Sequence, residues 1–215
     1  MKVYSIIGFN DDRPIDLAKI LNSQIKLTLF QAQKPTITKH RYIDSGTNSK
    51  VFETYDFDPN ELSEDDISHF LKNLESISES DLVLVADYGH GLLTKSVIKK
   101  VIDDSNFLAV NTQANAGNRG FNTLTKYEQL DFFTANSGEL SLELRSKYIN
   151  FEQELPSLMK RIGASRAVLT LGADGLEIFE SNKVTKAPAL AIKIVDKVGA
   201  GDSVFAISKI GRAHV

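Results

Sequence analysis

The chain has 215 residues, 42% of them hydrophobic and 25% charged, with a formal net charge of -3 and no cysteine. That length supports one sizeable core, the acidic balance argues against nucleic acid as main partner and for small anionic ligands, and the cysteine count excludes disulfides, thiolate metal sites and cysteine nucleophiles. The opening apolar run is too short for a signal peptide and no later run approaches the roughly 18 residues of a membrane span, so the expectation is a soluble, cytoplasmic protein with no membrane partner.

Val3 to Gly8 predicts a short strand and Ile15 to Leu21 a helix, with Ile25 to Phe30 a second β-rich run. Beyond Pro35, Ile37 to Ile43 alternates with period two, which predicts a strand on which Lys39 and Arg41 point the same way. Turn residues Asp44 to Ser49 lead into Val51 to Tyr55, so a β hairpin is expected over 36–56. Ser63 with Asp66 forms a capping-box signature ahead of the helically spaced Ile67, Phe70, Leu71 and Leu74. Leu82 to Ala86 has no polar alternation, the pattern of a strand buried on both faces of a parallel sheet, and it ends at Asp87-Tyr88-Gly89-His90-Gly91. Thr94 then caps a helix through Val97, Ile98 and Val101. Phe107 to Val110 is a strand, followed by Asn111 to Asn122, a loop too rich in amides to be packing filler.

Phe132 to Ala135 reads as another buried strand, after which Asn136-Ser137-Gly138-Glu139 opens a helix over Leu140 to Tyr148. Phe151 to Ile162 is a further helix and Ala167 to Leu171 a strand ending in Gly172-Ala173-Asp174-Gly175. Leu176 to Glu180 and Val184 to Ala187 predict a second hairpin. Ile192 to Val195 leads into Asp196-Lys197-Val198-Gly199-Ala200-Gly201-Asp202-Ser203. Here Gly199 and Gly201 let the backbone approach a ligand closely, and the N–H groups of a helix start face an anion with the positive end of the dipole behind them. Asp202 stands where a transferring phosphate would meet its acceptor; a plain helix cap is the other reading. Strands alternating with helices, with polar or glycine residues at the strand ends, predict a doubly wound α/β sheet whose ligands lie at the carboxyl edge.

Three spaced elements coincide: Asn136-x-x-Glu139, Thr170-Leu171-Gly172-x-x-Gly175, and Asp196-x-x-Gly199-Ala200-Gly201-Asp202. Together they resemble the PfkB carbohydrate kinases, the ribokinase-like family. The 36–56 hairpin resembles the β lid of that family, and Ala86 to Gly91 with Pro35 to Arg41 resembles more narrowly the kinase half of the bifunctional heptose-7-phosphate kinase and ADP-heptose synthase. Where those kinases carry Asp-Pro-Lys after the Phe107 to Val110 strand, this chain has Asn111-Thr112-Gln113, which leaves the exact sugar open.

The resemblance implies a ribokinase-like, mostly parallel sheet flanked by helices with a small β lid, and an ATP- and Mg²⁺-dependent kinase acting on a sugar or sugar phosphate. It implies Asp202 as general base, with the backbone of Gly199, Ala200 and Gly201 as anion hole. Asn136 and Glu139 would set the Mg²⁺ through water and, with Thr170, Gly172, Gly175 and Asp196, border the nucleotide. The residues themselves also admit a helix N-cap with a capping-box glutamate for the Asn136 pair and a tight turn for the glycines. Lys39 and Arg41 are candidates for a phosphate already on the sugar, or are solvated strand charges. Asp87 is a candidate for substrate contact, or is a turn residue. A homodimer through the β lid and a fused nucleotidyltransferase are the partners implied.

The family pattern also predicts that 1–215 is a partial kinase domain, incomplete at both ends, with 82–209 the nucleotide and catalytic region. The ending Ile210 to Val215 reads like a translated sequencing adapter. A non-catalytic binding paralogue and a module of a bifunctional enzyme are the rival readings.

Overall fold

A computed structural model describes residues 1–9, 11, 24–47, 49–58, 60, 62–74, 77–115, 117–180, 183–190 and 199–208. The expected helix at Ile15 to Leu21, the strand at Ile192 to Val195, Asp196 and the tail from Ile210 lie outside the described residues. The chain forms two compact units, Met1–Leu74 and Glu75–Val215.

In the first unit, β1 (Lys2–Gly8) and β2 (Lys26–Ala32) pair in parallel from Lys2↔Lys26 to Gly8↔Ala32. Gly8 is required at the end of β1, because a Cβ there would sit 2.1 Å from the Thr36 backbone nitrogen. The period-two segment becomes β3 (Thr38–Ile43), which joins β4 (Lys50–Asp56) as an antiparallel hairpin. Helix α1 (Glu64–Asn73) starts at Ser63, whose hydroxyl accepts from the Asp66 N–H, and Phe70 packs edge-to-face on Phe30 of β2 at 4.8 Å.

The second unit holds a six-stranded sheet in the order β10-β9-β8-β7-β6-β5. Strands β5 (Val83–Asp87), β6 (Leu108–Thr112), β7 (Phe132–Asn136) and β8 (Arg166–Thr170) run parallel. The predicted second hairpin, β9 (Leu176–Glu180) and β10 (Lys183–Ala187), adds antiparallel strands beside β8. Helix α2 (Lys95–Asp104) is capped by Thr94 and buries Val97, Ile98 and Val101. Helix α3 (Ser137–Glu143) follows β7, and α4 (Phe151–Arg161) buries Leu155, Leu158 and Met159.

Two elements differ from the sequence pattern. Strand β5 alternates instead of being buried on both faces: Val85 and Asp87 are buried while Leu84 is 43% exposed, and among the described residues β5 stands at the end of this sheet's order. Helix α3 stops at Glu143, well short of Tyr148. There Arg145 takes a left-handed conformation (φ 50°), with Ser146 N–H donating to the Ser141 carbonyl and Arg145 N–H to that of Leu142. That Schellman arrangement ends a helix whatever apolar residues follow.

Candidate active site

The parallel register brings four strand ends to one edge. Asp87 pairs with Thr112 at the ends of β5 and β6, and Asn136 pairs with Thr170 at the ends of β7 and β8. Helix α5 (Ala200–Ile207) is fixed beside them by Phe205, which is 5% exposed and joins Phe107, Ala109, Phe132 and Val168 in one apolar cluster with Val204 against it. Asp202 lies one turn before Phe205, so this anchor sets its position.

Gly199 is the N-cap of α5 at φ 78°, a conformation that favours glycine, and it provides no side-chain cap. The first N–H groups of the helix have no intrahelical partner, and Gly199 offers them no side-chain cap. A Cβ at Gly199 or Gly201 would meet nothing within 4 Å, so the backbone faces open space as an anion cradle needs. Asp202 is partly buried; its Oδ1 accepts from the Tyr88 hydroxyl at 3.2 Å and from Gln113 Nε2 at 3.3 Å. Burial, and then the negative charge and hydrogen bond of Asp202, hold the Tyr88 phenol above its ordinary pKa.

Asn136 and Glu139 form the capping box that their spacing admits. Glu139 N–H donates to Asn136 Oδ1 and Asn136 N–H to Glu139 Oε2, both at 2.9 Å, while Glu139 Oε1 accepts from the Ala114 N–H at 3.4 Å. Burial pushes the Glu139 carboxyl up; the N–H groups of Asn136 and Ala114 counter it, and the charge of Asp202 adds to the rise. Two carboxylates that sense each other and share an edge with a helix start suit a hydrated divalent cation on a polyphosphate. Among the described residues no three His, Asp or Glu side chains cluster as a metal site. Magnesium would thus be held through one or two carboxylates, waters and phosphate oxygens, its usual arrangement in phosphoryl-transfer sites.

Thr170 ends β8 with its hydroxyl on the Ala135 carbonyl at 3.5 Å. Gly172 opens a 3₁₀ turn at φ 64° with open space at its Cβ position, whereas Gly175, at φ 92°, is needed because a Cβ would lie 2.1 Å from the Ala187 carbonyl oxygen. Gly175 thereby shapes the turn into β9 by backbone contact. Asp87 is 4% exposed and has three partners: Gly89 N–H donates to Oδ1 at 2.9 Å, Tyr127 hydroxyl to Oδ2 at 2.7 Å, and Lys126 forms an ion pair with Oδ2. Tyr127 is wholly buried, and that burial, with the Asp87 charge, drives its phenol far above its ordinary pKa. In the first unit Lys39 and Arg41 do share a strand face, and both reach Glu53 Oε2, at 3.2 and 3.6 Å.

The residues that sequence reasoning left without roles are those of the amide-rich loop. Asn118 Nδ2 donates to the carbonyls of Tyr88 (2.7 Å) and Gln113 (3.1 Å), Asn122 Nδ2 to those of Asp87 (2.8 Å) and Gln113 (3.2 Å), and Asn115 Nδ2 to that of Tyr88 (2.8 Å). The amide count was the visible signal; the carbonyls it serves were not.

An α/β sheet with a glycine-led helix start and carboxylates at its carboxyl edge defines the ribokinase-like class. Phosphofructokinase-2 from Escherichia coli in complex with fructose-6-phosphate has this fold, with a TM-score of 0.73 at 14% identity over 99% of this chain and 70% of that one. Ribokinase from Giardia lamblia gives 0.69 at 17% identity, over 95% and 64%. Residues 22–207 match the pfkB family carbohydrate kinase model, and the chain belongs to that family. It is similar to the bifunctional protein HldE of Campylobacter fetus subsp. fetus, 28% identical over 210 residues that cover 95% of this chain and 44% of that protein. The HldE of Campylobacter jejuni subsp. jejuni is 30% identical over 156 residues, 68% of this chain and 33% of that protein. The chain thus spans less than half the length of these relatives. Among the described residues no helix is long and apolar enough to cross a membrane.

Proposed function

We propose that this chain carries the phosphotransfer site of an ATP- and Mg²⁺-dependent sugar kinase whose acceptor is a hydroxyl of a sugar phosphate of the heptose-7-phosphate kind. The carrying observation is Asp202 in the first turn of a helix whose cap is a glycine, within electrostatic reach of Glu139. In phosphoryl transfer the protein has mainly to position two substrates and stabilise charge. Asp202 takes the proton of the acceptor hydroxyl, the freed oxygen attacks the terminal phosphorus of ATP, and the bond to the ADP oxygen breaks. The N–H groups of Gly199, Ala200 and Gly201 stabilise the negative charge on the transferring group. Asn136 and Glu139 would hold a hydrated magnesium ion, which would supply neutralisation of phosphate charge.

The substrate class rests on the similarity to HldE proteins and on the Lys39 and Arg41 pair, for which a substrate phosphate would compete with Glu53. The two units are read as parts of one kinase domain, and ATP as co-substrate supports a cytoplasmic reaction. The word bifunctional in the relatives' name supports a second module, a nucleotidyltransferase, in the full-length protein. The exposed stack of Tyr42 on Phe52, ring centres 4.2 Å apart, supports pairing of two copies through the hairpin.

The test is ADP release by the natural protein containing this chain, over a panel of sugars and sugar phosphates with ATP and Mg²⁺. A heptose phosphate is expected to be turned over, and Asp202→Asn to lower the rate about 10²- to 10⁴-fold. Unchanged turnover in that variant refutes the base assignment, and release only with an unphosphorylated sugar refutes the substrate class.

A further inference from the structure

The side chains on Asp202 come from two different strand ends. Tyr88 follows β5 and Gln113 follows β6, and both donate to the same oxygen, Oδ1. Neither residue hangs on a free loop. The Tyr88 carbonyl accepts from Asn115 and Asn118, and the Gln113 carbonyl from Asn118 and Asn122. The Gln113 N–H closes the array on the Asp87 carbonyl at 2.8 Å. Gly89, at φ 68°, lets this clasp close: a Cβ there would lie 2.2 Å from Asn118 Nδ2. Buried Asp87 holds the Gly89 N–H from the other side. Both donors therefore start from doubly tied backbone, and the entropy of aiming them is lost on folding and not during reaction.

The chemistry of the donors matters as much as their placement. A lysine or arginine on Asp202 would bind it as an ion pair. A phenol and a carboxamide fix its direction as neutral donors. With both on Oδ1, and no donor on Oδ2 among the described residues, the second oxygen is the one left to meet an acceptor hydroxyl.

We propose that Tyr88 and Gln113 are positioning residues that hold Asp202 by Oδ1 and direct Oδ2 at the acceptor hydroxyl, with Asn115, Asn118 and Asn122 as the clasp that aims them. This rests on the kinase reading above. Among the described residues the titratable groups that sense Asp202 are Tyr88 and Glu139; Gln113 contributes no charge.

Two measurements on the natural protein test it separately. In the first, Tyr88→Phe keeps the ring beside His90, and Gln113→Leu keeps the bulk while removing the donor. Each is expected to lower kcat about 10-fold, and the pair about 100-fold, with KM for ATP unchanged. Full turnover in the double variant overturns the proposal, as does a loss carried by KM for ATP with kcat unmoved. In the second, ¹³C-labelled tyrosine is titrated by NMR, the Tyr88 signal being the one lost in Tyr88→Phe. Asp202→Asn is expected to bring that titration to lower pH, and an unmoved Tyr88 titration overturns the contact. Silence of the unsubstituted protein in the ADP assay would instead fail the kinase reading, while the NMR titration still decides whether Tyr88 holds Asp202.

Discussion

The loop cluster behind β5 and β6 and the β3–β4 hairpin are both rich in polar side chains, yet they hold together in opposite ways. In the cluster Asp87, Asn118 and Asn122 are buried, and their hydrogen bonds reach from residue 87 to residue 127. In the hairpin Lys39, Arg41 and Lys50 share one carboxylate, Glu53, and Tyr42, Ile43, Val51 and Phe52 are exposed. A buried polar group left without its partner carries the full desolvation cost, about 1–3 kcal/mol and more when charged. An exposed ion pair is worth about 0–1 kcal/mol. One region is thus fixed residue by residue, and the other can exchange partners at little cost.

That contrast can be broken by substitution. Asp87→Ala strands Tyr127 and the Gly89 N–H, and urea unfolding should show a loss of about 3 kcal/mol, the lower end for a broken buried pair because Lys126 retains access to water. Gly89→Ala combines a left-handed conformation with a Cβ pressed on Asn118, and should cost about 2 kcal/mol in the same experiment. Asn118→Ala removes donors from two carbonyls and should cost about 1–2 kcal/mol. A thermal shift as small as that of a surface substitution in any of the three would erase the distinction between the regions.

On the hairpin the expected effects are smaller and depend on salt and pH. Burial raises the Glu53 carboxyl, but the hydrogen bonds and charges of Lys39 and Lys50 outweigh it and leave it below its ordinary value of 4.5. A lowered folded pKa means the stabilisation is complete above the unfolded value and is lost as pH falls through the folded one. Glu53→Gln should therefore cost under about 1 kcal/mol at neutral pH and low salt, and nothing below the lowered value. Lys39→Ala with Arg41→Ala should barely move the melting temperature. It should raise KM for a sugar phosphate while leaving an unphosphorylated sugar unaffected; equal KM changes for both would remove the phosphate role.

Much of the fold was legible because its signals are local. The apolar runs at Val3, Phe132 and Ala167, the Ser63, Thr94 and Asn136 caps, and the alternation from Thr38 all became the elements their patterns predict. Leu82 to Ala86 misled because a continuous apolar run does not say how many neighbours a strand has, and Leu140 to Tyr148 because Arg145 entering the left-handed region has no signature in residue type. At the site, the Asn136 spacing fits a capping box while the family resemblance implies a magnesium-setting pair, and the geometry realises the box while leaving Glu139 within reach of Asp202's charge.

By itself the sequence determined the element types, the glycine-led helix start and the family, since each is encoded over a few residues or in fixed spacings. Only the tertiary structure decided that Asp87 is paired with Tyr127 and Lys126, and that Tyr88 and Gln113 meet on one oxygen of Asp202. Those contacts join residues 40, 114 and 89 positions apart. Which partner a polar side chain takes at such separations is set by strand order and register, and no local pattern records it.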